Sequence, residues 1–460
     1  MVGVSGVRGL VGIDLTPELV ARYAAAFGAW AGTDGAAKRR GRRPPAVVLG
    51  RDARTSGPMF AMAAMAGLQS VGCDVIDIGL TSTPGAQLAV EHHHAAGGIV
   101  LTASHNPIEW NALKFIGPDG VFLDSAAGAR VRALLENGQL PRAGYDGLGA
   151  ARSDGAANAR HVAQVLALPM VPIARIRRRR FRVALDTVRG AGGAMMPALL
   201  ERLGCRVTAI NLETDGRFPR APEPIPEHLG ALGRLVKKSK ADVGIAVDPD
   251  VDRLAIVDEN GRAIGEDYTL AFAVRAVLGH GRTRGPRPSV VVNLSTSLVV
   301  DDAARDHGAE VLRVAVGEVN VARAMLEGRA VIGGEGNGGV ILPRLHAGRD
   351  APLAAALVLA LLARDRRTVS EIVDAAPRYV IVKAKVARGA ALDRVYTALR
   401  QRYADAGTDT QDGLRLAWPD RWLHVRPSNT EPIIRLIAEA PTGAAATALV
   451  EEGKRVCAAS

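Results

Sequence analysis

The chain has 460 residues, which is too long for a single hydrophobic core and predicts several domains. Because 48% of the residues are apolar and only 23% are charged, the composition is that of a globular protein and not of a disordered one. Its three cysteines are far apart, which argues against a disulfide framework or a thiolate metal site and favours a reducing compartment. The first ten residues, MVGVSGVRGL, lack the pattern of a signal peptide, and we expect a cytoplasmic protein.

The net charge of +11 favours an anionic partner such as a phosphate dianion. Basic residues are concentrated at 38–43 (KRRGRR) and 175–180 (RIRRRR). Neither segment contains interleaved aromatic residues that could stack on bases, so we interpret both as solvated loop or linker charge and expect no nucleic-acid partner. The longest apolar run, 351–363 (APLAAALVLALLA), is too short and too Ala-rich to span a bilayer and predicts a buried helix, with no membrane partner.

In chain order, short apolar runs alternate with helical patterns. Strand, helix, strand and strand patterns occur at AVVLG, PMFAMAAMAGLQSVG, CDVIDIG and GGIVLTAS, and the alternation restarts at FRVALD and at PSVVVNLS. From about residue 377 the pattern changes to YVIVKAKV, a helix, a strand pair, IIRLIAEA and a final helix. We therefore predict an α/β protein with three similar α/β domains (1–150, 151–262 and 263–374) and a smaller C-terminal α+β domain (375–460).

Four polar loops follow apolar strands, and ligands of α/β sheets bind at such strand ends. The first is TASHNP, residues 102–107, in which Asn106 and Pro107 predict a turn that exposes Ser104 as a nucleophile. An ordinary structural turn explains this loop equally well when it is considered alone.

The second loop is DPDVDR, residues 248–253. Three carboxylates in a tight loop, Asp248, Asp250 and Asp252, can converge on one hard cation, which favours magnesium, calcium or manganese over zinc. An EF-hand is excluded because Arg253 stands where its sharp turn needs glycine and LAIVD continues as a strand. A solvated acidic turn is the structural alternative.

The third and fourth loops are GGEGNGG, residues 333–339, and RPSNTEP, residues 426–432. Glu335 and Asn337 are spaced to point the same way and suit sugar hydroxyls. Arg426 lies among hydroxyl and amide side chains, a combination suited to a phosphate dianion. Each loop alone is also compatible with a purely structural turn.

Taken together with SGVRG at residues 5–9, these motifs occur in one order across almost the whole chain. This order resembles the α-D-phosphohexomutase superfamily, which includes phosphoglucomutases, phosphomannomutases and phosphoglucosamine mutases. GRDARTSG, EWNALKF and VGEVNVA add to the similarity, and EWN after TASHNP together with GEGNGGV is most similar to the archaeal-type phosphoglucosamine mutases. The resemblance implies four domains around a central active-site cleft.

The resemblance also implies roles for individual residues. Ser104 matches the phosphoserine, and the three aspartates match the ligands of Mg²⁺, with the phosphoserine as a further ligand. Arg8 and Arg253 match residues that border the reacting phosphate, Lys114 matches a lysine that assists proton transfer, and His105 belongs to the catalytic loop. The predicted substrate-binding residues are Glu335, Asn337, Arg426, Ser428, Asn429 and Thr430.

The implied function is a phosphohexomutase that interconverts 6-phospho and 1-phospho hexoses through phosphoserine and a hexose 1,6-bisphosphate, which also primes the enzyme. We favour conversion of glucosamine 6-phosphate to glucosamine 1-phosphate, with phosphoglucomutase or phosphomannomutase activity as the alternative. An inactive regulatory or nucleic-acid-binding relative is disfavoured by the intact Ser104, acid triplet and phosphate cage. The expected partners are a small phosphosugar and, as one option, a second copy of the chain in a homodimer.

Two positions depart from the family pattern. Many relatives have Ser and His where this chain has Asn337 and Gly339, so a histidine acid/base cannot be assumed in the sugar loop. Many relatives also have Asn where this chain has Arg189, which predicts altered contacts in the second domain.

Overall fold

The computed structural model describes the side chains of residues 6–33, 44–138, 140–281, 287–387, 389, 391–428 and 433–459, and the backbone of residues 2–3. The described residues form four separate β-sheets of seven, four, five and five strands, in chain order. The basic segment 38–43 lies outside the described residues, as do Ser5, Asn429 and Thr430.

The first sheet has the strand order β1-β2-β6-β5-β3-β4-β7 and is mixed, because β3, β4, β5 and β7 run parallel whereas β6 pairs antiparallel with β2 and β5. Its elements are β1 (Val2–Gly3), β2 (Gly6–Leu10), α1 (Pro17–Thr33), β3 (Ala46–Arg51), α2 (Gly57–Gln69), β4 (Asp74–Leu80), α3 (Thr83–His92), β5 (Gly97–Leu101), β6 (Trp110–Ile116), α4 (Ser125–Glu136) and β7 (Ala151–Ser153).

The second sheet has the order β11-β10-β8-β9, with β10, β8 and β9 parallel and β11 antiparallel. Its elements are α5 (Ala157–Leu166), α6 (Ile173–Arg179), β8 (Arg182–Asp186), a 3-10 helix (Ala191–Ala194), α7 (Met196–Arg202), β9 (Arg206–Ile210), a 3-10 helix (Pro226–His228), α8 (Gly230–Ser239), β10 (Val243–Val247) and β11 (Leu254–Val257).

The third sheet has the order β13-β12-β14-β15-β16, with β13, β12 and β14 parallel and an antiparallel extension through β15 and β16. Its elements are α9 (Asp267–Leu278), β12 (Ser289–Asn293), α10 (Leu298–Arg305), β13 (Glu310–Val314), α11 (Glu318–Gly328), β14 (Ile332–Glu335), β15 (Gly339–Leu342), β16 (His346–Arg349), α12 (Ala351–Asp365) and α13 (Val369–Asp374).

The fourth sheet is antiparallel throughout, in the order β17-β21-β20-β19-β18. Its elements are β17 (Val380–Ala387), α14 (Leu392–Arg402), β18 (Gly407–Asp409), β19 (Leu414–Ala417), β20 (Trp422–Pro427), β21 (Ile433–Ala440) and α15 (Gly443–Ala459). Three α/β units and a smaller sheet-rich C-terminal unit confirm the predicted fold class. The domain boundaries stay a prediction, and β7, just past residue 150, pairs with β4 of the first sheet.

Two local predictions need comment. The apolar run at 351–363 is a helix, as predicted, and it is buried along its whole length. The interpretation of residues 175–180 as a loop or linker is wrong, because residues 175–179 belong to α6. Arginine is a good helix former, and Ile176 is fully buried between the arginines, so the segment folds against the core while its charges stay exposed.

α12 illustrates how the cores are built with few aromatic residues. Asp350 caps its first turn by accepting a hydrogen bond from the Leu353 amide at 2.7 Å, and Ala, Leu and Val fill the remainder. Burial of such side chains stabilises the fold by roughly 1.5–3 kcal/mol for each Leu or Val. Among the described residues, no helix has both the length and the apolar character to cross a bilayer.

Candidate active site

Ser104 lies three residues beyond the end of β5, in a backbone conformation with φ of +50°. A non-glycine residue pays roughly 1–2 kcal/mol for that conformation, so surrounding contacts must hold it. Its amide donates to Thr102 Oγ1 at 2.9 Å, and its own hydroxyl donates to Asp248 Oδ2 at 3.1 Å. The serine is therefore aimed at the acidic loop of the second sheet.

Arg54 holds the serine loop in place, and sequence analysis did not single it out. Its fully buried guanidinium donates four hydrogen bonds of 2.6–2.8 Å to backbone carbonyls, namely those of Ser104, Asn106, Pro107 and Trp110. Asp52 pairs with Arg54 at 3.2 Å and accepts from Thr102 Oγ1 at 2.6 Å. The GRDARTSG motif therefore supplies the frame on which TASHNP is built.

Asp248, Asp250 and Asp252 follow β10, are fully buried, and have carboxylate oxygens within 4.8 Å of one another. Two of these oxygens, Asp250 Oδ1 and Asp252 Oδ1, are buried without a hydrogen-bond partner. Buried carboxylate oxygens left unpaired are costly, and a hard divalent cation is the ligand that an all-oxygen set of this kind prefers. The residues present thus fit Mg²⁺.

The ionisation of these aspartates is uneven. Burial, followed by the neighbouring Asp252 and Asp250 carboxylates, holds the pKa of Asp248 well above its usual value. Burial also acts to raise the pKa of Asp250, but Lys114 and the hydroxyl of Thr83 outweigh it and hold that pKa below its usual value. Lys114 Nζ lies 2.8 Å and Thr83 Oγ1 2.6 Å from Asp250 Oδ2.

Cationic groups surround the serine. Arg8 donates to Asn106 Oδ1 at 2.8 Å, and Arg253 pairs with Glu223 at 3.1 Å. His105 Nδ1 lies 3.4 Å from Ser104 Oγ. Arg253, burial and Arg8 together hold the pKa of His105 well below its usual value, so the ring is neutral at physiological pH. Arg8 and Arg253 thus form a positive rim beside an acidic centre, an arrangement that suits an anionic group.

The sugar-loop residues lie at the edge of the third sheet. Asn337 Nδ2 is 3.5 Å from Glu335 Oε2, so the two side chains lie on the same side of the loop. Glu335 Oε1 accepts from Asn293 Nδ2 at 2.9 Å and from the Gly317 amide at 3.2 Å. Among these contacts the one to Asn337 is the longest and the weakest.

A buried arginine that sequence analysis missed, Arg349, connects the sugar loop to the acidic loop. Its guanidinium lies 2.9 Å from Glu335 Oε2, 2.5 Å from Asp252 Oδ2 and 3.2 Å from Glu318 Oε2. Arg349 is the last residue of β16, but it lies in none of the four polar loops that the sequence analysis considered. The signal that could have found it is the pattern of a charged Arg-Asp pair directly before a wholly apolar helix.

Backbone contacts join consecutive sheets at this site. The Thr83 amide donates to the Asp250 carbonyl at 2.9 Å, which joins the first sheet's α3 to the acidic loop. The Leu254 amide donates to the Gly338 carbonyl at 3.1 Å, which joins the second sheet to the sugar loop. These bonds place three of the four motifs in one contiguous group.

The fourth motif forms a second group. Arg426, in β20, is mostly buried, and its Nε lies 2.8 Å from Asp412 Oδ2. The same carboxylate oxygen accepts from the Val316 amide of the third unit at 3.1 Å. The Ser428 amide donates to the Ile433 carbonyl at 2.9 Å, and the predicted Asn429 and Thr430 lie outside the described residues.

The departure at Arg189 has a structural setting. Arg189 has φ of +59°, a conformation that Asn adopts more readily than Arg. Its Nε lies 3.3 Å from Glu213 and 3.5 Å from Asp215, so the guanidinium pairs with a loop of the second unit. Arg189 therefore contacts two acids of its own unit, and a change in these contacts relative to the family stays a prediction.

Family models describe all four parts of the chain. They are those of the phosphoglucomutase/phosphomannomutase alpha/beta/alpha domains I, II and III and C-terminal domain, and they match residues 1–142, 159–261, 265–379 and 381–455.

Similar proteins cover nearly the whole chain. A protein of Thermococcus kodakarensis named phosphoglucomutase/phosphomannomutase is 40% identical, with 98% of this chain and 97% of the relative covered. A probable phosphoglucosamine mutase of Methanopyrus kandleri is 37% identical, with 98% and 96% covered. The crystal structure of a phosphoglucomutase/phosphomannomutase family protein from Burkholderia thailandensis superposes with a TM-score of 0.84 at 25% identity, covering 100% of this chain and 98% of that one.

Proposed function

Because the chain belongs to the phosphoglucomutase/phosphomannomutase family of phosphosugar isomerases, we propose that it interconverts glucosamine 6-phosphate and glucosamine 1-phosphate. The observation that carries the mutase chemistry is the contact of Ser104 Oγ with Asp248 at 3.1 Å, within a site of buried acids and peripheral cations. That arrangement suits a serine that accepts and donates a phosphoryl group. The choice of glucosamine is supported by the 37% identical relative named probable phosphoglucosamine mutase.

Ser104, Asp248, Asp250 and Asp252 would hold Mg²⁺, the serine through its phosphoryl oxygen. When bound, the ion would neutralise charge on the transferring phosphoryl group. Support comes from the two buried carboxylate oxygens that lack a hydrogen-bond partner and from the all-carboxylate composition of the group.

The reaction has two steps, and each step transfers one phosphoryl group. In the first, the free sugar hydroxyl bonds to the phosphorus of phosphorylated Ser104, the bond from phosphorus to Ser104 Oγ breaks, and the proton lost by the sugar is gained by the serine. The product is the hexose 1,6-bisphosphate. After the intermediate turns around, Ser104 Oγ bonds to its other phosphorus, and the released sugar oxygen regains a proton.

Residues around the serine have distinct roles in this scheme. Lys114, on β6, assists the proton transfer, and its contact with Asp250 places it beside the acidic loop. Arg8 and Arg253 provide positive charge for the phosphoryl group in flight. His105 is held neutral, and its Nδ1 lies 3.4 Å from Ser104 Oγ, so it orients the serine oxygen by hydrogen bonding.

Recognition of the substrate uses the other two loops. Glu335 and Asn337 would contact sugar hydroxyls, and Arg426 and Ser428, with Asn429 and Thr430, would hold the phosphate that is not reacting. A separate phosphate loop is required because both halves of the reaction use one serine, so the two phosphates must exchange places.

Phosphoglucomutase or phosphomannomutase activity is the second candidate, and the 40% identical relative that carries both names favours it. The three sugars differ only at C2, where the site must discriminate an amino group from a hydroxyl or its epimer. Mutase rates on glucosamine, glucose and mannose 1-phosphates, each with its matching bisphosphate, separate the candidates. The highest kcat/KM on glucosamine 1-phosphate supports the proposal, and a higher value on either other sugar overturns it.

A further inference from the structure

The side chain of Arg349 occupies the space that a side chain at position 339 would need. Gly339 begins β15, and Arg349 ends the neighbouring strand β16. A Cβ added at Gly339 would lie 2.2 Å from Arg349 Cδ and 2.8 Å from its Cγ, far inside contact distance. Gly339 does not have a positive φ, so the need for glycine here is one of space and not of backbone conformation.

The space left by Gly339 is used to bury a guanidinium among three carboxylates. Arg349 contacts Asp252 of the acidic loop, Glu335 of the sugar loop and Glu318 at the start of α11, and all four side chains are buried. The three carboxylates lie 2.5, 3.2 and 2.9 Å from the guanidinium, for Asp252, Glu318 and Glu335 respectively. Arg349 is therefore held by three ion pairs and cannot move without breaking them.

The effect on Glu335 is specific. Burial acts to raise the pKa of this carboxyl, and Arg349, followed by Asn293, outweighs burial and lowers it. Glu335 is thus ionised, with Oε1 held by Asn293 and Gly317 and one lone pair of Oε2 held by Arg349. The lone pair facing Asn337 is the weakly used one, at 3.5 Å, and it is free to accept from an incoming hydroxyl.

We propose that Arg349 is a positioning residue for sugar recognition, that it fixes Glu335 as an acceptor joined to the acidic loop, and that Gly339 is required to make room for it. This inference rests on the proposed function and deepens it. It also means that the sugar loop recognises the substrate through a fixed charge, without a titrating side chain at 339 or 349.

A double-mutant cycle on the full-length protein tests the proposal. Gly339→Ala should raise the KM for the preferred sugar phosphate about tenfold to a hundredfold, as expected for a displaced charge-assisted contact, with a smaller change in kcat. Arg349→Ala should raise the KM similarly. The double variant should nearly match Arg349→Ala alone, since the severe overlap is with Arg349 and the added methyl group then meets only Asn337 Oδ1, at 3.2 Å.

Matched variants keep the outcome clear. Gly328→Ala places a methyl group in open space in the same unit and should leave the KM unchanged. Arg349→Lys retains the charge without the planar fork and should recover part of the loss, which a purely steric role would not predict. Thermal unfolding shows whether Arg349→Ala folds. If it does not, the KM values of Gly339→Ala and Arg349→Lys still test whether Arg349 positions Glu335.

An unchanged KM in Gly339→Ala, or losses that multiply in the double variant, would overturn the proposal. Failure of the proposed function is separate, because it would appear as a different preferred sugar or as wild-type protein without turnover. The cycle is run on whichever sugar phosphate the wild-type chain prefers, so its result depends only on the coupling of Gly339 to Arg349.

Discussion

The serine and acid loops and the phosphate loop of the fourth sheet are built differently. Ser104 is fixed by Arg54 and Thr102 and already touches Asp248, so the reacting centre is held by short buried contacts before any ligand arrives. Arg426 is instead paired with Asp412, a carboxylate that an incoming phosphate must replace or share. This difference matches the proposed roles, because atoms that make and break bonds need a fixed setting, whereas a loop proposed to take each phosphate in turn needs an exchangeable partner.

The largest expected effect comes from removing the nucleophile on the rigid side of this comparison. Ser104→Ala should lower mutase turnover roughly 10⁴-fold or more, since the covalent route is lost while binding groups remain. A coupled assay of sugar phosphate isomerisation measures this loss, with Ser153→Ala, an exposed serine in β7, as the control. Near-normal turnover of Ser104→Ala would contradict the phosphoserine mechanism.

Metal binding should be the next most sensitive property. Asp250→Asn removes one negative charge from the acid group and should weaken Mg²⁺ binding by at least about tenfold in calorimetry of the unphosphorylated protein. Since the pKa of Asp248 is raised, Mg²⁺ binding should release protons and grow tighter as pH rises. Asp146→Asn, at an exposed acid, should bind the ion normally. Unchanged binding in Asp250→Asn would place the ion elsewhere.

The exchangeable side of the comparison is probed at Arg426. Loss of one charge-assisted contact should cost about 1.5–3 kcal/mol, so Arg426→Ala should weaken sugar phosphate binding roughly tenfold to a hundredfold in both reaction directions. Added bisphosphate should partly restore the rate, because the intermediate escapes more often. Mg²⁺ affinity should hardly change, and a variant that lost Mg²⁺ binding while keeping substrate affinity would show that the loop is assigned wrongly.

The sequence predicted some residues of the site and missed others. Ser104 and the three aspartates each stand directly after an apolar strand, which made them candidates. The two strands belong to different sheets, so it was the resemblance of the ordered motifs, and not the local pattern, that predicted one common site. Arg54 and Arg349 were missed because each acts through partners from distant parts of the chain, which no local spacing reveals. β6 was also not assigned as a strand, although EWNALKF was noted as a motif.

The contact between the third and fourth units should respond to acid. His424 Nε2 lies 2.7 Å from the Asp412 carbonyl, which only accepts, so Nε2 carries the proton and Nδ1 accepts from Ser295 Oγ at 2.8 Å. Burial lowers the pKa of His424 from 6.5 to about 4. Between these values the unfolded chain binds more protons, so stability should fall as pH drops, by up to about 3 kcal/mol.

Thermal unfolding between pH 7 and pH 4.5 measures the loss of stability that we assign to His424. His424→Gln lacks the titration, and its unfolding temperature should decrease less steeply with acid than that of the wild type, although it starts lower at pH 7. Parallel curves for the two proteins would show that His424 does not set the acid sensitivity of the contact.

The central claim is that Ser104 carries the exchangeable phosphoryl group. Incubation of the full-length protein and Mg²⁺ with ³²P-labelled glucosamine 1,6-bisphosphate, followed by peptide mapping, tests it directly. We predict label on Ser104 alone, which unlabelled sugar monophosphate then removes into bisphosphate. Label on another residue, or turnover of the sugar phosphate with Ser104 unlabelled throughout, would contradict the account.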